Sequence, residues 1–263
     1  MLLVLVTLSL RSAQAAPGDL DPTFGGVGWV TTDFGSASGG VAYALVIRPD
    51  GKLVAVGSVD GNFALARFNP DGSLDPTFGI GGTVTTDFGG GSDIARAVVL
   101  QPDGKLVVTG DYRRADAAYY FALARYNADG SLDPTFGVGG KVTTDFGEYY
   151  DFGYALILQP DGKLVAAGYS GRDDFALARY NADGTLDTTF GVGGKVTTDF
   201  NTTYNEAYAL AIQPDGKLVA SGQSGFNLAL ARFNPDGSLD STFGAGGRVT
   251  TDESVPAPLH EGK

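Results

Sequence analysis

Short, mostly apolar runs separated by polar turn tripeptides dominate the chain from residue 20 onward. "AYALVIRP", "KLVAVGS" and "FALARFN" are such runs, and "VTTDF" adds a fourth that is rich in β-branched residues. This texture predicts strands rather than helices. "PDG" joins "AYALVIRP" to "KLVAVGS", with Pro preset for the first corner and Gly free to take the positive φ that closes a hairpin. "NPDGS" and "NADGS" place the same device at the end of the "FALARFN" run.

The pattern repeats. "LDPTFGVGGKVTTDFG" at Leu132 has close copies at Leu20, Leu74, Leu186 and Leu239, spaced by 54, 58, 54 and 53 residues. "PDGKLV" keeps the same step from Pro49, Pro102, Pro160 and Pro214, as does the "FALAR" run from Phe63, Phe121, Phe175 and Leu228. Three independent markers therefore agree on one period. They divide residues 20–252 into units 20–73, 74–131, 132–185 and 186–238, with a partial fifth at 239–252.

Counted from "VTTDF", each unit reads as an antiparallel meander of four strands, too small to bury its own faces. Radial repetition of such units makes a β-propeller, so the expected fold is all-β with four-stranded blades. On that count one "VTTD" strand is left over. The Gly- and Pro-free stretch Asp111–Asp129 favours a helix locally. Its alignment with the sister units makes it a longer loop between strands instead, with room for a helical turn.

The N-terminus differs. Leu2–Leu10 is apolar and Ala13-Gln14-Ala15 fits a signal-peptidase site, so residues 1–15 read as a secretory signal, with 16–19 as a lead and 253–263 as a disordered tail. Export to the bacterial periplasm or cell surface is the expectation, with no stable membrane insertion afterwards.

Composition then narrows the chemistry. Gly fills 40 of 263 positions, in keeping with many tight turns. A net charge of −12 repels a nucleic-acid backbone. Most of the 30 acidic residues occupy fixed repeat positions, so they read first as turn and strand residues. The chain has no Cys and one His, His260, which leaves little material for a nucleophilic triad or a His-metal site. "GVGGKVTT" fails as a phosphate loop, because Trp29, Thr83, Lys141, Lys195 and Arg248 share the Lys position and a strand follows. Asp71, Ser73 and Asp75 have the alternating spacing of a calcium loop without its terminal Glu, and a plain turn accounts for the same letters. Arg67, Arg125, Arg179 and Arg232 are expected to pair between blades with acids such as Asp87 or Asp145. Lys52, Lys105, Lys163 and Lys217 are expected to be solvated.

"QPDGKLVAAG", "FALARYNADG" and "LDTTFGVGGKVTTDF" resemble delta-60 repeats, and the resemblance covers Leu20–Asp252. It implies a secreted bacterial propeller and no established activity.

Strand alternation puts "PDGK" and "DGSLDPTFG" on one side and every variable loop on the other. The variable side carries Tyr112, Arg113, Arg114, Asp116, Tyr119, Tyr120, Tyr149, Tyr150, Asp151, Arg172, Asp173, Asp174, Tyr204 and Glu206. Aromatic rings beside charged groups suit a glycan or a protein ligand. Neutral drift in unconstrained loops gives the same pattern. The expected function is a non-enzymatic binding or surface scaffold; the alternatives are a polysaccharide hydrolase or lyase using carboxylates of this face, or a fragment of a longer propeller.

Overall fold

The computed structural model describes residues 18–36, 39–171 and 174–251. The signal, the tail, His260, Arg172 and Asp173 lie outside them. Among the described residues, sixteen strands form four antiparallel sheets of four. Blade 1 holds β1 (Gly40–Ile47), β2 (Leu53–Val59), β3 (Asn62–Phe68) and β4 (Thr83–Thr86). Blade 2 holds β5 (Asp93–Leu100), β6 (Leu106–Arg113), β7 (Tyr119–Tyr126) and β8 (Lys141–Thr144). Blade 3 holds β9 (Asp151–Leu158), β10 (Leu164–Ser170), β11 (Asp174–Tyr180) and β12 (Lys195–Thr198). Blade 4 holds β13 (Asn205–Ile212), β14 (Leu218–Ser224), β15 (Asn227–Phe233) and β16 (Arg248–Thr250). The first strands of adjacent blades pack together, so the sheets fan outward from β1, β5, β9 and β13.

The sheets are out of phase with the sequence count. "VTT" does not begin a blade. It pairs with the preceding "FALAR" strand, as Leu123 with Val142 and Leu177 with Val196. The repeated "LDPTFG" segment is thus a connection within a blade, and the copy at Leu239 supplies β16. The spare copy is the N-terminal one, where Val30–Thr32 lies in no strand. The 111–129 stretch extends β6 and β7 around a turn at 114–118, with no helix.

An Arg–Asp clamp holds that connection, with partners other than expected. Arg125 Nε donates to Asp133 Oδ2 at 2.8 Å, and Asp133 Oδ1 accepts the amide and hydroxyl of Thr135 at 3.0 and 2.7 Å. Arg67–Asp75, Arg179–Asp187 and Arg232–Asp240 repeat the pair. The guanidinium stacks on Phe136, 4.6 Å from its centroid, and donates across the blade boundary to the Ala182 carbonyl. Asp87 and Asp145 are not in this clamp; their carboxylates accept the amides of Gly89 and Gly147 in their own turns. Nor are the lysines free. Lys52 Nζ lies 2.7 Å from Asp75 and Lys163 Nζ 2.8 Å from Asp187. Burial alone would raise the Asp75 pKa, but hydrogen bonds from Lys52 and Thr77 and the Arg67 charge hold it well below the usual carboxylate range.

Adjacent blades share their cores. Val54, Phe63, Leu65 and Phe78 of blade 1 meet Leu106, Ala122 and Tyr126 of blade 2. At each boundary a glycine is required. Gly130 has φ +89°, and a Cβ there would fall 2.9 Å from the Gly79 nitrogen of the preceding blade.

Candidate functional site

Each first strand contains one residue more than its partner. Ala42 pairs with Gly57 and Ala44 with Val56, so Tyr43 is bulged out. The same skip isolates Arg96 between Ala95 and Ala97, Tyr154 between Gly153 and Ala155, and Tyr208 between Ala207 and Ala209. A bulge turns one side chain out of the sheet's alternation, a device common beside functional sites. Opposite every bulge stands a glycine. A Cβ on Gly57, Gly110, Gly168 or Gly222 would fall 1.8 Å from the carbonyl oxygen of Val41, Ile94, Phe152 or Glu206.

The bulged side chains form one row across the inner strands. The Arg96 guanidinium lies 5.7 Å from the Tyr43 ring centre and 5.1 Å from that of Tyr154. The Tyr154 and Tyr208 rings are 5.4 Å apart. Arg96 is held by an ion pair to Asp111, whose carboxylate is buried. Burial pushes the Asp111 pKa up, and Arg96 opposes that shift. Burial, a hydrogen bond to Glu206 and its charge push the Tyr208 phenol up to about 12. Tyr43 and Tyr208 remain about half exposed.

A second aromatic run leads from this row to the variable rim. Phe152 stacks on Tyr154 with 9° between the rings, and Tyr150 on Phe152 with 12°. Tyr119 lies 4.8 Å from Phe152, and Tyr149 packs edge-on against Tyr150. The rim is tied together, since Tyr149 Oη donates to the Asp116 carbonyl at 2.6 Å and Arg114 Nη1 to Tyr120 Oη at 2.6 Å.

Of the residues expected on this face, Arg114, Tyr119, Tyr120, Tyr149 and Tyr150 therefore meet around blades 2 and 3. Tyr204 is exposed at the neighbouring loop, with φ +59°. Glu206 joins the row through Tyr208, and Asp174 begins β11. Two positions differ from expectation. Asp151 is fully buried, and its Oδ2 accepts the Phe146 amide at 2.8 Å, so it closes a loop rather than facing a ligand. Tyr112 packs on Phe88 inside the boundary between blades 1 and 2. In the calcium candidate, Asp71 accepts the amide and hydroxyl of Ser73 while Asp75 is clamped by Arg67, so each carboxylate already has its own partners. Tyr43, Arg96, Phe152, Tyr154 and Tyr208 were missed. For the four bulged residues the signal was the "AYA/ARA/GYA/AYA" column with a fixed Gly in the next strand; Phe152 lies outside that column.

The four fanned sheets define a β-propeller fold. A β-propeller family model, domain of unknown function DUF5122, matches at residues 48–78, 101–136, 159–190 and 213–243, one stretch in each blade. No curated protein matches the chain. Among solved structures, a protein from Lactobacillus plantarum superposes with a TM-score of 0.52 at 19% identity, over 77% of this chain and 54% of that one. Virginiamycin B lyase from Staphylococcus aureus gives 0.47 at 12% identity, over 76% and 54%. A gluconolactonase from Xanthomonas campestris gives 0.46 at 15%, over 74% and 59%. The chain spans little more than half the length of these structures.

Proposed function

We propose that this chain is an exported binding propeller that takes a polar ligand, a glycan chain in the first instance, along the aromatic track from Tyr150 to Tyr208. One observation carries the reading: at four equivalent positions a bulge, kept open by a glycine, turns Tyr43, Arg96, Tyr154 and Tyr208 onto one surface. Tyr rings offer flat apolar faces to the C–H side of a sugar and hydroxyls to its edge, and Arg96 adds donors. Of the nearby acids, Asp111 and Asp151 are buried and Asp111 is engaged by Arg96, while Glu206 is hydrogen-bonded to Tyr208, an arrangement that fits binding without turnover. Export rests on the apolar Leu2–Leu10 run followed by Ala-Gln-Ala, and on the likeness to delta-60 repeats. The test is a panel of oligosaccharides titrated by calorimetry against the protein and its Tyr154→Ala variant. Loss of heat in the folded variant supports the track, and equal binding by both removes it. N-terminal sequencing of the protein from bacterial culture tests export, which predicts a start at residue 16.

A further inference from the structure

The two ends of the blade array present the two halves of a contact that the chain makes three times internally. On the leading side of blades 1, 2 and 3, an Arg donates to a carbonyl of the next blade and a Gly amide donates to the carbonyl of the residue after it. Arg67 thus reaches the Ala128 carbonyl and Gly79 N the Asp129 carbonyl. Arg125 reaches Ala182, Arg179 reaches Pro235, and the amides of Gly137 and Gly191 follow suit. In blade 4, Arg232 and the Gly244 amide have no such acceptor among the described residues. In blade 1 the matching Pro70 carbonyl has no donor among them.

The apolar surfaces agree. Phe63, Phe121 and Phe175 are fully buried, whereas Leu228 at the same position of blade 4 is 67% exposed. On the trailing side of blade 1, Leu45 and Ile47 are 57% and 64% exposed, while their counterparts Leu156 and Leu158 of blade 3 pack into a core. The N-terminal copy covers only the outer part of that side. Its Gly25 amide takes the Asp71 carbonyl at 2.8 Å, as a preceding blade would, but it brings no Arg to Pro70. An apolar groove remains beneath it, lined by Val30, Phe34, Leu45, Leu53 and Ala55.

We propose that two copies of this chain join head to tail, blade 4 of each displacing the N-terminal segment from blade 1 of the other, to close an eight-bladed ring. Heterologous ends make a ring when the rotation closes. Propellers typically hold four to eight blades, so two of these four-bladed arrays fill the usual range and three would pass it. Closure places Tyr208 beside the second copy's Tyr43, and the bulged row becomes continuous.

The test is solution mass by light scattering over a concentration series, with scattering radius in parallel. Its readout does not involve a ligand, so it stands or falls apart from the binding reading. The unmodified chain is expected at twice the single-chain mass. Leu230 is the half-buried blade 4 counterpart of the fully buried Leu65. Leu230→Lys on blade 4 and Leu45→Lys on blade 1 should each give single chains, and an equimolar mixture of the two should recover paired mass through its one intact junction. Val138→Lys, 85% exposed in the β7–β8 connection of blade 2 and so away from both end blades, should leave the pair intact. Should Leu230→Lys fail to fold by circular dichroism, Leu45→Lys carries the test, with Ile47→Lys as its second on the same side. A single chain at every concentration, a mass above two copies, or disruption by only one of two folded end variants would overturn the proposal.

Discussion

The Arg96 guanidinium lies 5.1 Å from the centre of the Tyr154 ring, and each of these residues is the extra member of a β-bulge on the inner strand of adjacent blades. The contact joins blades 2 and 3 at the surface that the bulges create. Behind it, Arg96 neutralises the buried Asp111. Arg96→Ala should therefore cost about 2–3 kcal/mol, below the 3–5 of a fully buried pair because Arg96 is partly exposed. Arg96→Ala with Asp111→Ala should recover part of that loss. Urea denaturation of the four forms of this double-mutant cycle checks both statements.

Gly168→Ala is expected to be more damaging than its single methyl suggests. The new Cβ would fall 1.8 Å from the Phe152 carbonyl, so either the bulge closes or the strands part. A loss of about 3 kcal/mol is expected, at the upper end of overpacking. Gly162→Ala, where nothing lies within 4 Å but φ is +84°, should cost about 1 kcal/mol through backbone strain alone. Thermal melts that rank the two the other way would remove the proposed role of the glycine opposite the bulge.

Stability should peak in mildly acidic solution. Burial pushes Asp93 and Asp151 up to about 6 from 3.8, so between those values the folded chain holds more protons than the unfolded one. Stability then falls as pH rises through that window. Asp75, Asp133, Asp187 and Asp240 are shifted the other way, and their contribution is lost as pH drops below the unfolded value. Together these place the maximum at about pH 4–5. Asn205 occupies the corresponding position in blade 4, so Asp93→Asn with Asp151→Asn is the natural variant to make. It should flatten the slope between pH 4 and 6 in a series of denaturation curves.

Arg67, Arg125 and Arg179 should behave alike on substitution, because each has the same carboxylate, Thr hydroxyl, next-blade carbonyl and Phe ring. Truncating any of them to Ala leaves a buried Asp partly uncompensated, with a loss of about 3–5 kcal/mol. Arg125→Lys should recover only part, since one ammonium cannot reproduce the planar fork. Denaturation midpoints for the four variants measure this.

The blades were legible because their strands and turns are local. "PDG" and the β-branched runs act over a few residues, and three markers fix the period. The phase was not legible, since "VTT" can hydrogen-bond to the strand before it or the one after it, and only packing chooses. The Arg partner was missed for a related reason: Asp133 and Asp145 are both repeat acids, and the turn at 133–136 brings the nearer one beneath Arg125. Loop residues such as Tyr149 and Tyr150 could be placed on a face by counting strands. Tyr154 could not, because a period-two strand hides a bulge until its partner's register is known.

The most direct test of the binding surface is calorimetric titration of one oligosaccharide panel against the unmodified protein, Tyr154→Ala and Tyr43→Ala, each first shown to be folded. The bulged row predicts saturable binding by the unmodified protein, weakened at least tenfold in both variants. Binding of unchanged strength in both would contradict it and place recognition elsewhere on the propeller.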